Sequence, residues 1–252
     1  MNEMNDVKVS IITVCFNSEK TISKTIESVI NQTYDNYEYI IVDGNSTDNT
    51  LSIVEKYSSH IRDLLVISEP DNGIYDAMNK GIDRARGEII SIINSDDWLE
   101  KDAVERVVDE YIRIGKPCLA VIYGALRVVD KDVTRYEVFY NHKFIPAQMI
   151  GHPSSFVTKN VYERYGKFDT KFKLSADYDL FLRLYEEELD TNSIIFYPLN
   201  KVLANFSIGG ASCSIESSID HERVLLKHGL IDNKTYRRHY IVRKIKQLFK
   251  YK

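Results

Sequence analysis

Over its first 115 residues the chain alternates between two textures, and this alternation constrains the fold more than any other feature. Val7–Val14 is apolar and β-branched. Glu19–Ile30 spaces Ile22, Ile26, Val29 and Ile30 along one helical face. The pattern then repeats: a strand at Tyr37–Val42 and a helix at Thr50–Tyr57 behind Asp48 as its cap; a strand at Leu64–Ile67 and a helix at Ile74–Ala85 with Ile74, Met78, Ile82 and Ala85 in line; a strand at Glu88–Ile93 and a helix at Asp102–Ile114. Strands and helices alternating at this period predict a mostly parallel sheet flanked by helices. Continuous apolar runs such as Ile89-Ile90 and Ile92-Ile93 predict strands buried on both faces.

After residue 118 the rhythm changes. Short strand-like runs follow at Leu119–Tyr123, Arg127–Val129 and Thr134–Phe139, and one clear later helix at Tyr178–Glu188, led by Asp177. This half reads as mixed α+β covering the sheet edge. The expected organisation is a single domain over 1–232, with halves 1–115 and 116–232, and a basic tail at 233–252. The tail holds eight basic residues and no acid, leaving 25 basic against 37 acidic residues in the body. An acidic body argues against a nucleic-acid partner. The tail, with Tyr240, Ile241, Ile245, Leu248 and Phe249 as its apolar side, has the composition of a helix that lies on an anionic membrane surface or closes the domain as a solvated helix. Cys15, Cys118 and Cys213 are scattered and odd in number, the N-terminus is polar, and no apolar run nears the ~20 residues of a membrane span. The expected location is the cytoplasm.

Ligands of open α/β sheets bind beyond the carboxyl ends of the strands. Four polar clusters fall there: Cys15–Ser18, Asp43–Asp48, Glu69–Gly73 and Asn94–Trp98. No G-x-G-x-x-G follows the first strand and no P-loop signature occurs, so dinucleotide and P-loop readings lose their support. The edge offers acids instead. Carboxylates repel phosphate unless a hard divalent cation lies between them, so Asn94-Ser95-Asp96-Asp97 reads as a site for a metal-bound nucleotide diphosphate.

Val9–Asn17, Ser28–Tyr34, Ile41–Asp48, Glu69–Gly81 and Asn94–Trp98 together resemble, in order, the motifs of glycosyltransferase family 2, as found in bacterial enzymes that build O-antigen, capsule or exopolysaccharide. The likeness continues more loosely through Gly151–Ser155, Ser175–Leu180 and Phe206–Ser212. The resemblance implies a GT-A fold, a nucleotide-sugar donor, Mg²⁺ or Mn²⁺, and inversion at the anomeric carbon.

Roles carried over from the family fall on named positions. Val14, Phe16 and Asn17 match the loop that flanks base and ribose. Asp43 matches the acid at the pyrimidine edge, which favours UDP. Asp71 matches the strip under the donor. Lys80 or Asn79 is expected near the diphosphate or donor sugar, although Lys80 also has the i,i+4 spacing to pair with Asp76. Asn94 and Asp96 match the ends of the D-x-D signature, with Asn in the first place; Asp96 is the expected metal ligand, Asn94 the ribose contact, Ser95 a further nucleotide-sugar contact, and Asp97 either supports Asp96 or reaches the donor sugar. Asp177 matches the general base, with Asp179 as substitute, although either could instead serve the helix start. His152 is expected at the diphosphate or acceptor, or as a structural histidine. The acceptor implied is a saccharide, lipid-linked through polyprenyl diphosphate. A nucleotidyltransferase is a rival, weakened by the glycine-free loop at Cys15–Lys20. A non-catalytic sugar- or nucleotide-binding protein on the same fold is a second.

Overall fold

The structure, a computed structural model, describes residues 6–209 and 214–250, with side chains through 244. Gly210, Ala211, Ser212, Cys213 and Lys252, and the side chains of Ile245, Leu248 and Phe249, lie outside the described residues.

The strands and helices run in the order β1 (Val9–Cys15), α1 (Ile22–Ile30), β2 (Tyr37–Asp43), α2 (Thr50–Tyr57), β3 (Leu64–Ser68), α3 (Ile74–Arg84), β4 (Ile89–Asn94), β5 (Trp98–Leu99), α4 (Ala103–Arg113), β6 (Ala120–Asp130), β7 (Val133–Val138), β8 (Ser155–Thr158), α5 (Lys159–Tyr165), α6 (Ala176–Thr191), β9 (Ile195–Ser207), α7 (Ile215–Lys227) and α8 (Asn233–Lys250). One nine-stranded sheet has the order β3-β2-β1-β4-β8-β6-β9-β5, with β7 paired to β6. Its first four strands are parallel, and β8 then joins β4 antiparallel.

The sheet separates two cores. Ile12, Val14, Ile40 and Val42 face Met78 and Ile82 of α3 and Leu180 and Leu184 of α6. Val9, Ile11, Tyr39 and Ile41 face Ile22 and Ile26 of α1 and Val104 and Val108 of α4. Both faces are covered, which is why these strands lack polar alternation. Gly81 lets α3 lie close to β1, since a Cβ there would stand 2.5 Å from Ile12 Cγ2.

The parallel half follows the sequence expectation closely. Three local details differ. Helix α1 starts at Ile22, because Ser18 and Glu19 are engaged with the neighbouring loop. Helix α3 buries Tyr75, Ala77, Met78, Gly81 and Ile82, while Ile74 is exposed. Asn49 is the N-cap residue of α2, yet Asp48 supplies the side-chain acceptor, taking bonds from Thr50 N–H and Oγ1.

The second half holds more than the sequence announced. The runs at 119–123 and 127–129 form one strand, β6. Helices α5 and α7 and strands β8 and β9 join it, and α6 begins at Ala176. Strand β9 contains Pro198, Asn200 and Lys201 and pairs in parallel with β6 through two register shifts. No helix among the described residues is long and apolar enough to cross a membrane.

Candidate active site

The carboxyl edge of β1, β2 and β4 carries three tied loops. Asn17 adopts a left-handed conformation (φ 49°), the kind Asn tolerates well. Its N–H donates to Ser46 Oγ at 2.8 Å, and its Oδ1 accepts from Thr47 N–H at 2.8 Å. Ser18 Oγ and Ser95 Oγ share a hydrogen bond of 2.7 Å, tying the β1 loop to the β4 loop. Phe16 stands 62% exposed above Val14, which is buried. A large aromatic kept in solvent beside polar loops can offer a flat ligand a stacking face.

Asp43 lies beneath this surface and is fully buried. Its oxygens accept from Ser46 N–H at 3.0 Å, Ser68 Oγ at 2.7 Å and Cys15 Sγ at 3.8 Å. Asp43 therefore shapes the 44–46 loop and offers a ligand no exposed oxygen. The Cys15 thiol is pushed far up by burial and by the Asp43 charge, so it is inert. Asp71 crosses over Gly44: a Cβ at Gly44 would stand 2.4 Å from Asp71 Oδ2. Asp71 Oδ1 accepts from Gly73 N–H at 2.9 Å. Lys80 Nζ donates to the Pro70 carbonyl at 2.8 Å and pairs with Glu69 and, at 3.5 Å, with Asp76. Lys80 thus braces the loop that carries Asp71. Asn79 clasps Phe168 through both backbone groups, at 2.9 and 3.1 Å.

The acidic turn after β4 has one buried and one accessible acid. Asp97 is 1% exposed and accepts from Ser207 N–H at 2.8 Å and Asn94 Nδ2 at 3.4 Å. Burial, and then the charge of Asp96, push its pKa well up. Asp96 is half-buried, its pKa is raised by desolvation, and its carboxylate has no side-chain partner among the described residues. Asn94 Oδ1 is buried and unpartnered. A half-dry carboxylate lacking a cation beside an unused amide oxygen is a hard-oxygen site of the kind that suits Mg²⁺ or Mn²⁺. No group of three or more His, Cys, Asp or Glu among the described residues can hold an ion.

Asp177 sits in the first turn of α6, where the helix dipole favours an anion. Its Oδ1 accepts from Tyr75 Oη at 2.7 Å and from Tyr178 N–H at 2.9 Å. The Tyr75 bond brings the α6 N-terminus to the edge that carries Asp71. Two histidines feel the Asp177 charge. Burial lowers the pKa of both His152 and His221, and Asp177 partly counters it. His152 Nε2 is buried and unpartnered, and His221 stacks on Tyr178 with ring centroids 4.4 Å apart.

Asp179, the substitute base, does other work. It is fully buried and accepts from Arg183 Nε at 3.0 Å, Lys227 Nζ at 2.7 Å and His228 Nε2 at 3.0 Å. Burial opposes its ionisation, but the hydrogen bonds from His228 and Lys227 and the nearby Arg183 charge hold its pKa at about 2. It is a fixed ion that clamps α6 to α7.

The model of glycosyl transferase family 2 matches residues 10–190. A chondroitin synthase of Pasteurella multocida (strain Pm70) is 31% identical over 214 residues, which is 83% of this chain and 21% of that protein. The chain spans about a fifth of the length of that synthase and of a P. multocida hyaluronan synthase it also matches. Among solved structures, S. aureus TarS 1–349 in complex with UDP-GlcNAc superposes with TM-score 0.68 at 21% identity, covering 87% of this chain and 66% of that one. The mannosyltransferase PcManGT from Pyrobaculum calidifontis, in complex with GDP-Man and Mn²⁺, superposes with TM-score 0.64 at 17% identity, covering 89% and 65%. These likenesses establish a GT-A-like fold.

Proposed function

The chain belongs to glycosyl transferase family 2, and on that premise we propose that it transfers a sugar from a UDP-sugar to a saccharide hydroxyl, with inversion, in the synthesis of a surface polysaccharide such as O-antigen. The observation that carries this reading is the Tyr75–Asp177 bond of 2.7 Å. It joins a carboxylate in the first turn of α6 to the start of α3, beside the loop that presents Asp71.

In this reading Val14, Phe16, Asn17 and the loop shaped by Asp43 flank the base and ribose. Asp71, on the loop braced by Lys80, runs under the donor. Asn94 Oδ1 meets a ribose hydroxyl, and His152 Nε2 a donor or acceptor oxygen. Ser95 and Asp97 hold the turn that presents Asp96 to Mg²⁺ or Mn²⁺. The ion supplies neutralisation of charge on the leaving diphosphate. Asp177 takes the proton of the acceptor hydroxyl. The acceptor oxygen bonds to the anomeric carbon as the bond from that carbon to the phosphate oxygen breaks, and UDP leaves with its electron pair. A carboxylate within reach of the acceptor hydroxyl is the kind of group that takes such a proton.

The acceptor in this reading is linked to polyprenyl diphosphate, which requires a place at the inner face of the cytoplasmic membrane. Helix α8 supports that placement. His239 and Arg243 hold one side of it on Glu222 of α7, at 2.9 and 2.6 Å. Lys234, Arg237, Arg238, Ile241 and Val242 are exposed. Basic and apolar side chains together suit an anionic leaflet.

The test is thermal unfolding with UDP, GDP, dTDP and CMP, each with Mn²⁺ and with chelator. A ligand at 100 times its dissociation constant adds about 2.7 kcal/mol. Stabilisation by UDP that disappears on chelation is expected. Stabilisation by GDP alone, or by no nucleotide, overturns the donor assignment.

A further inference from the structure

The Asp177 carboxylate is held asymmetrically. Both of its hydrogen bonds, from Tyr75 Oη and from Tyr178 N–H, fall on Oδ1. Oδ2 has no partner among the described residues. A carboxylate fixed through one oxygen presents the other in a defined direction, and the lone pair available to an incoming O–H then lies on that atom.

Tyr75 is itself fixed. Its ring is 6% exposed and packs on Phe168 with centroids 5.3 Å apart. The Phe168 backbone is clasped by Asn79, one turn further along the same helix. Only the hydroxyl end reaches the site. Burial, followed by the Asp177 charge, raises the Tyr75 pKa well above its ordinary value, so the hydroxyl keeps its proton and donates it at any working pH. Tyr75 also lies two residues beyond Gly73, whose N–H is held by Asp71. The same helical turn therefore carries the donor-side loop on one flank and the base's anchor on the other.

From this geometry we propose that Tyr75 is a positioning residue for transfer: its hydroxyl anchors Oδ1 of Asp177 and orients Oδ2 toward the acceptor hydroxyl. The inference rests on Asp177 being the base. The groups that face Asp177 are Tyr75 from α3, His152 from the turn before β8, and Tyr178 and His221 from α6 and α7. Among these, Tyr75 supplies the side-chain hydrogen bond.

The experiment compares the full chain with Tyr75→Phe and Asp177→Asn. The Asp177 carboxyl is followed by carbon NMR in ¹³C-aspartate-labelled protein, its signal assigned by its loss in Asp177→Asn. UDP release is followed with a panel of UDP-sugars and saccharide acceptors. In Tyr75→Phe, the Asp177 carboxyl signal is expected to move at a fixed pH, kcat should fall about tenfold or more, and KM for the UDP-sugar should hold. Phenylalanine keeps the ring packing, so a structural role alone would lower the melting temperature and leave kcat in place. Wild-type kcat in Tyr75→Phe, with Asp177→Asn inactive, overturns the positioning role and leaves the base assignment standing. Wild-type turnover in Asp177→Asn overturns the base assignment and the positioning role with it.

Discussion

Ser207 N–H donates to Asp97 Oδ1 at 2.8 Å, across 110 residues of chain. The Ser207 hydroxyl also donates to the Asp96 carbonyl at 2.6 Å. The last residue of β9 thus holds both acids of the turn after β4, and the Asp96 carboxylate is aimed by a strand from the other half of the domain. Removing the hydroxyl in Ser207→Ala keeps the backbone bond and loses the other, at about 1 kcal/mol of stability. Mn²⁺-dependent affinity for UDP should fall severalfold, and titration calorimetry with and without Mn²⁺ measures it.

Asp96 is the half-buried carboxylate of that turn, more accessible than Asp97. Asp96→Ala should leave the melting temperature of the free protein within a few degrees, because the side chain bonds to no other side chain. It should abolish the additional stabilisation by UDP that Mn²⁺ gives. A variant that still responds to Mn²⁺ and UDP together would remove Asp96 from the metal site.

Asp177→Asn retains both acceptor geometry at Oδ1 and the packing of α6. It should bind UDP as the wild type does and lose about 10²–10⁴-fold in kcat, the usual worth of a general base. Calorimetry with UDP and single-turnover transfer separate the two effects.

The buried Asp179 cluster should set how stability depends on pH. His228 has its pKa raised because hydrogen bonds to Asp179 and Glu186 outweigh its burial. Its contribution is complete below its unfolded value of ~6.5 and is lost as pH climbs through the raised folded value. Asp179, held at about 2, contributes above its unfolded value of 3.8 and loses that contribution as pH falls toward 2. Urea unfolding from pH 5.5 to 8.5 should show wild-type stability declining, and His228→Gln should flatten the decline. Asp179→Asn should cost about 3–5 kcal/mol at pH 6 and weaken the loss of stability on acidification.

Reversing charge on α8 tests the membrane reading without removing the Glu222 anchor. Each basic residue near an anionic leaflet is worth about 1 kcal/mol. Arg237→Glu with Arg238→Glu should therefore lower binding to phosphatidylglycerol vesicles by more than tenfold at low salt and leave the melting temperature unchanged. Equal sedimentation of wild type and variant with the vesicles would exclude α8 as the contact.

The parallel half was legible because its signals are local. Strands β1, β2 and β4 are continuous apolar runs, and α1 and α4 have clear apolar faces. The second half depends on pairings distant in sequence. Strand β9 breaks its apolar run with Pro198, Asn200 and Lys201 and becomes a strand through β6 beside it. Helix α5 has seven residues, too few for periodicity to register. At the site, Asp96 and Asp177 were marked by motif, and Asn94 by its place in it. Asp179 and Asp177 are equivalent in sequence terms, both acids in the first turn of α6. They differ only through Arg183, Lys227 and His228, two of which come from another helix or its end. In the sequence, the alignment of Ile74 with Met78, Ile82 and Ala85 on one helical face hides Tyr75, which the fold buries in place of Ile74. The cue was available: an aromatic in the first turn of a helix that follows a donor-side loop.

The bridge from Asn17 to Ser46 and Thr47 has a consequence for how ligands are chosen. The walls around Phe16 are already stiff, so little conformational entropy is left to lose when a nucleotide enters. Affinity then depends on the match of shape and hydrogen-bond pattern between the base and a rigid slot. A base of the wrong outline meets a slot that does not remould around it.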